Sequence, residues 1–377
     1  MKHVVILGAG RVGAAIAIDL AKDTGFRVTV ADVAESALAK IRARGSIATQ
    51  QRDLTKVSDV EAAIQDADFV VGAVPGFMGF QTFKTVIEAG RPIVDISFFE
   101  EDPLQLDELA KAKGVTAIMD CGVAPGCDNL ILGYVEKQLD RVTRFECLVG
   151  GLPTVRTWPY EYKAGFSPID VLEEYTRPAR YVAHGEVVTL PALSEPEMID
   201  FPGIGTLEAF NSDGLRSLLH TVEAPFKKEK TLRYPGHIEK MHMLRETGFF
   251  RKEPMAFGDS RVSPLELTTR LLFPMWQMEE GDEDFTIMRV IVEGEKGGAK
   301  RSFVYDLLDR YDRTTKTTSM ARTTGYTCAA AVRMLANGLY TRKGVSPPEY
   351  VGREEGCWEF IRKDLEEHNV VFTERVD

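Results

Sequence analysis

The sequence predicts an α/β protein. It has an N-terminal Rossmann-type doubly wound parallel sheet, a central α+β domain with a mixed sheet, and a C-terminal segment packing back on the first domain. Three observations predict this. The chain opens with an apolar run that breaks into Gly8-Ala9-Gly10-Arg11-Val12-Gly13 and then turns helical. Short apolar runs alternate with amphipathic helical stretches as far as residue 121. Beyond that point, strand-like segments follow one another with few long crossovers, as in a mixed or antiparallel sheet.

In order, Val4 to Leu7 is a strand, the glycine run is a tight turn, and the stretch ending at Leu20 is a helix. A second strand, Arg27 to Ala31, ends in Asp32. This is a dinucleotide signature. Gly8 permits the turn, Gly10 lets a pyrophosphate approach the backbone, and Gly13 lets the helix pack on the strand. Arg11 and Val12 open the helix beside the phosphates, and Asp32 lies where a carboxylate accepts from an adenosine ribose. A helix at 34–44 follows, then a strand at 46–51 and a helix at 57–64. Asp53 and Leu54 either flank the adenine, or Asp53 or Thr55 simply caps that helix. The run 68–74 reads as a buried parallel strand stopping at Val74-Pro75, the sheet edge at which ligands bind. Helices at 81–89 and 104–113 and strands at 92–96 and 116–119 complete six strands, in the order 3-2-1-4-5-6.

The sixth strand runs into Asp120-Cys121-Gly122 and a Gly/Pro-rich turn, where a second domain begins, followed by a helix at 130–139. The expected domains are 1–121, 122–320 and 321–377. Strands are expected at 142–149, 180–190, 285–293 and 300–309 in the second. An Ala-rich helix at 323–339, a turn at 342–348, a helix at 357–367 and a strand at 370–372 make up the third.

With 377 residues, 44% hydrophobic and 27% charged, the composition is that of a soluble globular enzyme. The net charge of −11 argues against nucleic acid or an anionic membrane as partner. Five well-separated cysteines with no CxxC pair suit reduced thiols, and the N-terminus enters a strand directly, so the expected compartment is the cytoplasm. No histidine spacing implies a metal.

The segments VVILGAGRVG, DCGVAPGCDN, GGLPTVRTWPYEYKAGFSP, TLRYPGH and MARTTGYT together resemble the saccharopine dehydrogenase superfamily, and within it the lysine 6-dehydrogenase branch. The likeness runs through nearly the whole chain. It implies a nicotinamide-dependent oxidation of an amino-acid side-chain amine, here L-lysine to its 6-semialdehyde with ammonia release, and a homodimer formed through the central sheet. Two rivals stay open: a saccharopine or carboxynorspermidine dehydrogenase acting on a secondary amine, and a non-catalytic NAD-sensing regulator. The substrate expected is a small amino acid or polyamine.

Amine oxidation needs a cofactor, a pocket that fixes the amine and a proton acceptor. Asp120, at the mouth of the sixth strand, either holds the substrate ammonium or caps its turn. Cys121 is either a pocket wall or a packed thiol. Arg233 either grips a substrate carboxylate bidentately or makes a structural ion pair. His237 titrates in the right range for a base, or is a structural hydrogen bonder. Tyr160 and Lys163 are further cleft candidates, and Thr323 and Thr324 either contact a ligand carboxylate or cap the returning helix. Asp32 favours the free 2′-hydroxyl of NAD over NADP.

Overall fold

The computed structural model describes residues 1–377, which separate into two compact units: 1–140 with 320–372, and 141–319 with 373–377. Strands β1 (Lys2–Leu7), β2 (Phe26–Asp32), β3 (Ala48–Gln51), β4 (Phe69–Gly72), β5 (Ile93–Asp95) and β6 (Thr116–Ile118) of the first unit are all parallel neighbours. Helices α1 (Arg11–Leu20), α2 (Glu35–Arg42), α3 (Val57–Ile64), α4 (Gly76–Glu88) and α5 (Asp107–Lys113) alternate with them. The strand order 3-2-1-4-5-6 is the expected one. Val4 to Leu7 are each fully buried, because a parallel strand is covered by helices on both faces.

The sheet has one strand more than expected. Gly344–Ser346, inside the segment expected as a turn, pairs in parallel with β6 and extends the sheet to seven strands. Three residues carry too short a pattern to be read as a strand. They are held instead by the Asp107 carboxylate, which accepts from the Val345 N–H at 2.8 Å, and by the Arg342 guanidinium on the Val345 carbonyl at 2.7 Å.

Helix α4 starts at Gly76, five residues before its expected start, because Pro75 supplies an extended N-cap residue. Helix α6 (Cys127–Glu136) lies in the first unit, past the residue-121 line drawn from sequence. It packs tightly on the helix Pro348–Arg353: a Cβ on Gly133 would run into the Glu349 backbone, and one on Gly352 into that of Leu130. The long helix Ser319–Ala336 packs against α1, where Gly325 lies against Val12 and Ile16.

The second unit is built on a mixed nine-stranded sheet. Its centre is Arg141–Pro153, parallel to Phe226–Arg233 on one side and antiparallel to Asp284–Lys296 on the other. Strands Glu197–Phe201 and Gly205–Asn211 continue one flank, Ala299–Arg310 and Phe372–Val376 the other. The segment expected as one strand at 180–190 is a hairpin, Ala179–Ala183 and Glu186–Leu190, whose two-residue turn places His184 at φ +54° and Gly185 at φ +81°. The core beneath the sheet joins Leu148, Leu152, Tyr175, Phe210, Leu232 and Trp276. No helix is long and apolar enough to cross a membrane.

Candidate active site

The glycine turn after β1 shows which of its glycines serve the fold and which leave room. Gly8 sits at φ +117°, and a Cβ there would strike the Ala73 carbonyl at the end of β4. A Cβ on Gly13 would strike the Gly8 carbonyl, so that glycine permits the contact of α1 with the turn. Gly10 differs, because a Cβ there would meet nothing within 4 Å. The protein's own packing does not require this glycine, and the open space beside the N-terminus of α1 is the cradle a pyrophosphate needs. As N-cap, Gly10 also brings no capping side chain to the first turn.

Asp32 closes the other end of the groove. Its carboxylate accepts from the Ala9 N–H and the Ala34 N–H, both at 2.7 Å, which ties the end of β2 to the glycine turn and orients both oxygens. Arg11 is exposed and Val12 half-buried on the first turn of α1. Asp53 does not cap α3, whose N-cap residue is Lys56 with no side-chain cap: it accepts from the Thr55 N–H at 3.2 Å and the Thr55 hydroxyl at 2.6 Å in the turn before the helix, and pairs with Lys56. The Leu54 and Val74 side chains are buried in the core with Val60 and Phe83, so neither presents its side chain to a base. Pro75 caps α4.

Sequence reasoning missed Arg52. It directly follows β3 and donates its backbone N–H to the Asp32 carbonyl at 3.0 Å. Its Nε is buried with no hydrogen-bond partner. A cation at the C-terminal end of the third strand is the signal that could have found it.

The turn after β6 holds Asp120 at φ +49° and almost fully buried, with its carbonyl accepting from the Gly122 N–H. The Cys121 N–H donates to the Asp95 carbonyl, and burial pushes the Cys121 thiol far above its ordinary range, so it is a packed thiol and not a thiolate. Cys127, likewise buried, is pushed up to about 12 and shares a hydrogen bond with Thr327. Thr323 and Thr324 lie inside the helix Ser319–Ala336 and not before it, so neither is its cap; their hydroxyls turn back onto Met320.

In the second unit, Arg233 and His237 come together in a closed cluster. Arg233 is 2% exposed. Its Nη2 pairs with Glu174 at 2.5 Å, its Nε donates to the Tyr175 hydroxyl at 2.9 Å, its Nη1 donates to the Leu232 carbonyl, and Tyr162 lies under the guanidinium. Burial opposes its charge, but Tyr175, Tyr162 and Glu174 hold it firmly protonated. His237 hydrogen-bonds the Tyr175 oxygen at 3.0 Å and the Tyr160 carbonyl at 2.8 Å. Burial and the neighbouring Arg233 lower its pKa to about 3, so it is neutral and enclosed. Arg233 thus matches the ion-pair alternative and His237 the hydrogen-bonding one. Lys163 pairs with Asp282 at 2.5 Å, and Tyr160 enters the cluster through its carbonyl.

A saccharopine dehydrogenase C-terminal domain matches residues 122–371, and a saccharopine dehydrogenase NADP binding domain matches residues 4–118. The chain belongs to the saccharopine dehydrogenase family. It is therefore an oxidoreductase with a nicotinamide-dinucleotide domain at its N-terminus. Among similar proteins, "Saccharopine dehydrogenase [NADP(+), L-glutamate-forming]" of Pyricularia oryzae is 23% identical over 92% of this chain and 93% of its own length. Carboxynorspermidine synthase of Vibrio cholerae is 23% identical over 90% of each. The apo saccharopine dehydrogenase (L-Glu forming) of Saccharomyces cerevisiae superposes over the full length of both chains with a TM-score of 0.80 at 19% identity, which shows the shared fold.

Proposed function

We propose that the protein oxidises the side-chain amine of an amino acid with a nicotinamide cofactor, and that the substrate is L-lysine, converted to its 6-semialdehyde with release of ammonia. The observation that carries the choice of substrate is the neutralisation of cations in the second unit. Arg233 is matched by Glu174, Lys228 by Glu195, Lys230 by Glu197, Lys163 by Asp282 and Arg180 by Asp213. A substrate with several carboxylates needs several uncommitted cations, whereas lysine brings one carboxylate and an ammonium. The bound cofactor would supply the hydride acceptor. This chain's residues do the rest: the space at Gly10 admits the pyrophosphate, Asp32 accepts from the adenosine ribose, and Asp120 holds the ammonium. The free 2′-hydroxyl that suits a carboxylate at Asp32 favours NAD.

A second reading is supported by the similarity over nearly the full length to saccharopine dehydrogenases, whose name describes a secondary-amine substrate. NADH formation with L-lysine, saccharopine and a panel of diamines separates the two. Turnover of lysine but not saccharopine supports the first reading, and the reverse result replaces it with the second. Turnover of none of them overturns both.

A further inference from the structure

The turn that carries Asp120 is held from both ends by the C-terminal part of the chain. On the near side, strand Gly344–Ser346 lies beside β6, and the Ser346 carbonyl accepts from the Met119 N–H at 3.2 Å, one residue before Asp120. On the far side the turn closes on itself. The Gly122 N–H donates to the Asp120 and Pro125 carbonyls at 3.0 and 3.1 Å, and a Cβ on Gly126 would strike the Gly122 carbonyl. The Gly126 N–H then donates to Asp128 Oδ1 at 2.9 Å and to Asn129 Oδ1 at 3.2 Å. Asn129 is held in turn by Glu349, whose carboxylate accepts from Nδ2 at 2.9 Å across 220 positions of sequence.

Glu349 and Asn129 are both fully buried. Packing does not ask for a carboxylate there. Helix Pro348–Arg353 already meets α6 backbone to backbone through Gly133 and Gly352, and a buried ionisable group is costlier than an apolar one of its size. Hydrogen bonding does ask for it. The Gly126 N–H is a donor and a carboxylate offers only acceptors, so Asn129 serves both in one orientation alone, oxygen to Gly126 and nitrogen to Glu349. That orientation locks the closing residue of a turn whose first residue, Asp120, is held at φ +49°. Such a conformation persists in a non-glycine residue only where its surroundings impose it.

We propose that Glu349 is a positioning residue for the reaction: through Asn129 it fixes the turn that presents the Asp120 carboxylate to the substrate ammonium. The inference rests on the reading that Asp120 holds that ammonium. It makes the strand and helix at 344–353 the frame of the site, although they lie more than 200 residues from it in sequence.

The test is steady-state kinetics of the full chain with whichever of L-lysine and saccharopine the wild type turns over, beside calorimetric titration with NAD and NADP and thermal melts. Glu349→Ala should lower kcat/KM for the amine about ten- to a hundredfold, the scale of a small misplacement of a reacting group. Its nucleotide Kd should stay within about twofold of wild type, because the cofactor cradle is elsewhere. Asn129→Asp, which sets a carboxylate against Glu349, should lose activity likewise. Asn129→Asp combined with Glu349→Gln exchanges donor and acceptor, and should return kcat/KM to within about fivefold of wild type, the difference between a charged and a neutral hydrogen bond. Failure of that exchange to restore activity in a protein that melts normally overturns the proposal. So does a Glu349→Ala protein that melts lower yet keeps wild-type kcat and KM per bound nucleotide. In either case an inactive Asp120→Asn leaves the Asp120 reading standing. Wild-type rates in Asp120→Asn, or wild-type turnover of neither amine, overturn both.

Discussion

The glycine turn and the Arg233 cluster differ in what they do with polar groups. Around Gly10 the chain leaves space and brings no side chain to the start of α1. Around Arg233 it does the opposite, since guanidinium, carboxylate, phenol and imidazole satisfy one another under an aromatic cover. Both regions carry residues that chemistry uses, and only the first is shaped for a visitor. Residue type alone therefore names candidates, and the commitment of their hydrogen bonds separates a ligand site from a specificity device of the core.

The comparison can be broken most severely at Arg233. Arg233→Ala leaves Glu174 beneath the sheet without its partner and should lower unfolding stability by about 3 kcal/mol in a denaturant titration, at the lower end for a broken buried pair because Glu174 is partly exposed. A loss below about 1 kcal/mol would mean that the guanidinium contributes little to the core and is held for a ligand.

Gly8→Ala comes next. Its positive φ and the Ala73 carbonyl should cost about 1–3 kcal/mol of stability, read in the same titration, together with nucleotide binding. Gly10→Val sharpens the contrast: stability should change by less than about 0.5 kcal/mol. Nucleotide affinity should nevertheless fall at least about tenfold by calorimetry. If Gly10→Val destabilises as much as Gly8→Ala, the space at Gly10 is structural after all.

The smallest effect concerns the two histidines, which the fold holds in opposite states. His368 is on the helix Cys357–Glu367's C-cap, with one ring nitrogen on the Asp19 carboxylate at 2.7 Å and the other on the Asp364 carbonyl at 2.7 Å. Both partners are acceptors, so both nitrogens must carry protons. The hydrogen bond to Asp19 raises the His368 pKa despite burial. Against its own burial, Asp19 is held below the usual carboxylate range by His368 and Arg333. A raised folded pKa stabilises fully below the unfolded value of about 6.5 and loses that stabilisation as pH rises through the folded value. The stability advantage of wild type over His368→Gln, on the order of 1 kcal/mol at pH 6, should therefore shrink in thermal melts toward alkaline pH. His237 has the opposite sign: its lowered pKa of about 3 means that protonation opposes the fold as pH falls from about 6.5 toward 3.

Much of the first unit was legible because parallel strands buried on both faces are continuous apolar runs, and glycines at a turn declare backbone constraints directly. The second unit was less legible. The strand Phe226–Arg233 is not among the expected strands; in it Lys227 is 2% exposed and donates to the Leu218, Leu219 and Val222 carbonyls, while Lys228 and Lys230 reach Glu195 and Glu197. Polar residues buried by distant partners leave no periodic trace. The same reason hid the role of Arg233, whose partner Glu174 lies 59 positions away.

The sequence by itself determined the Rossmann strand order, the glycine turn with its carboxylate at Asp32, and the family, because each depends on local pattern or on motifs that survive in the chain's own order. Tertiary structure decided which polar groups are already spent. It enclosed Arg233 and His237, joined Gly344–Ser346 to the parallel sheet, and left Arg52 with a buried donor and no partner. Those outcomes turn on distances between residues far apart in sequence, and a hydrogen bond is made or missed within a few tenths of an ångström.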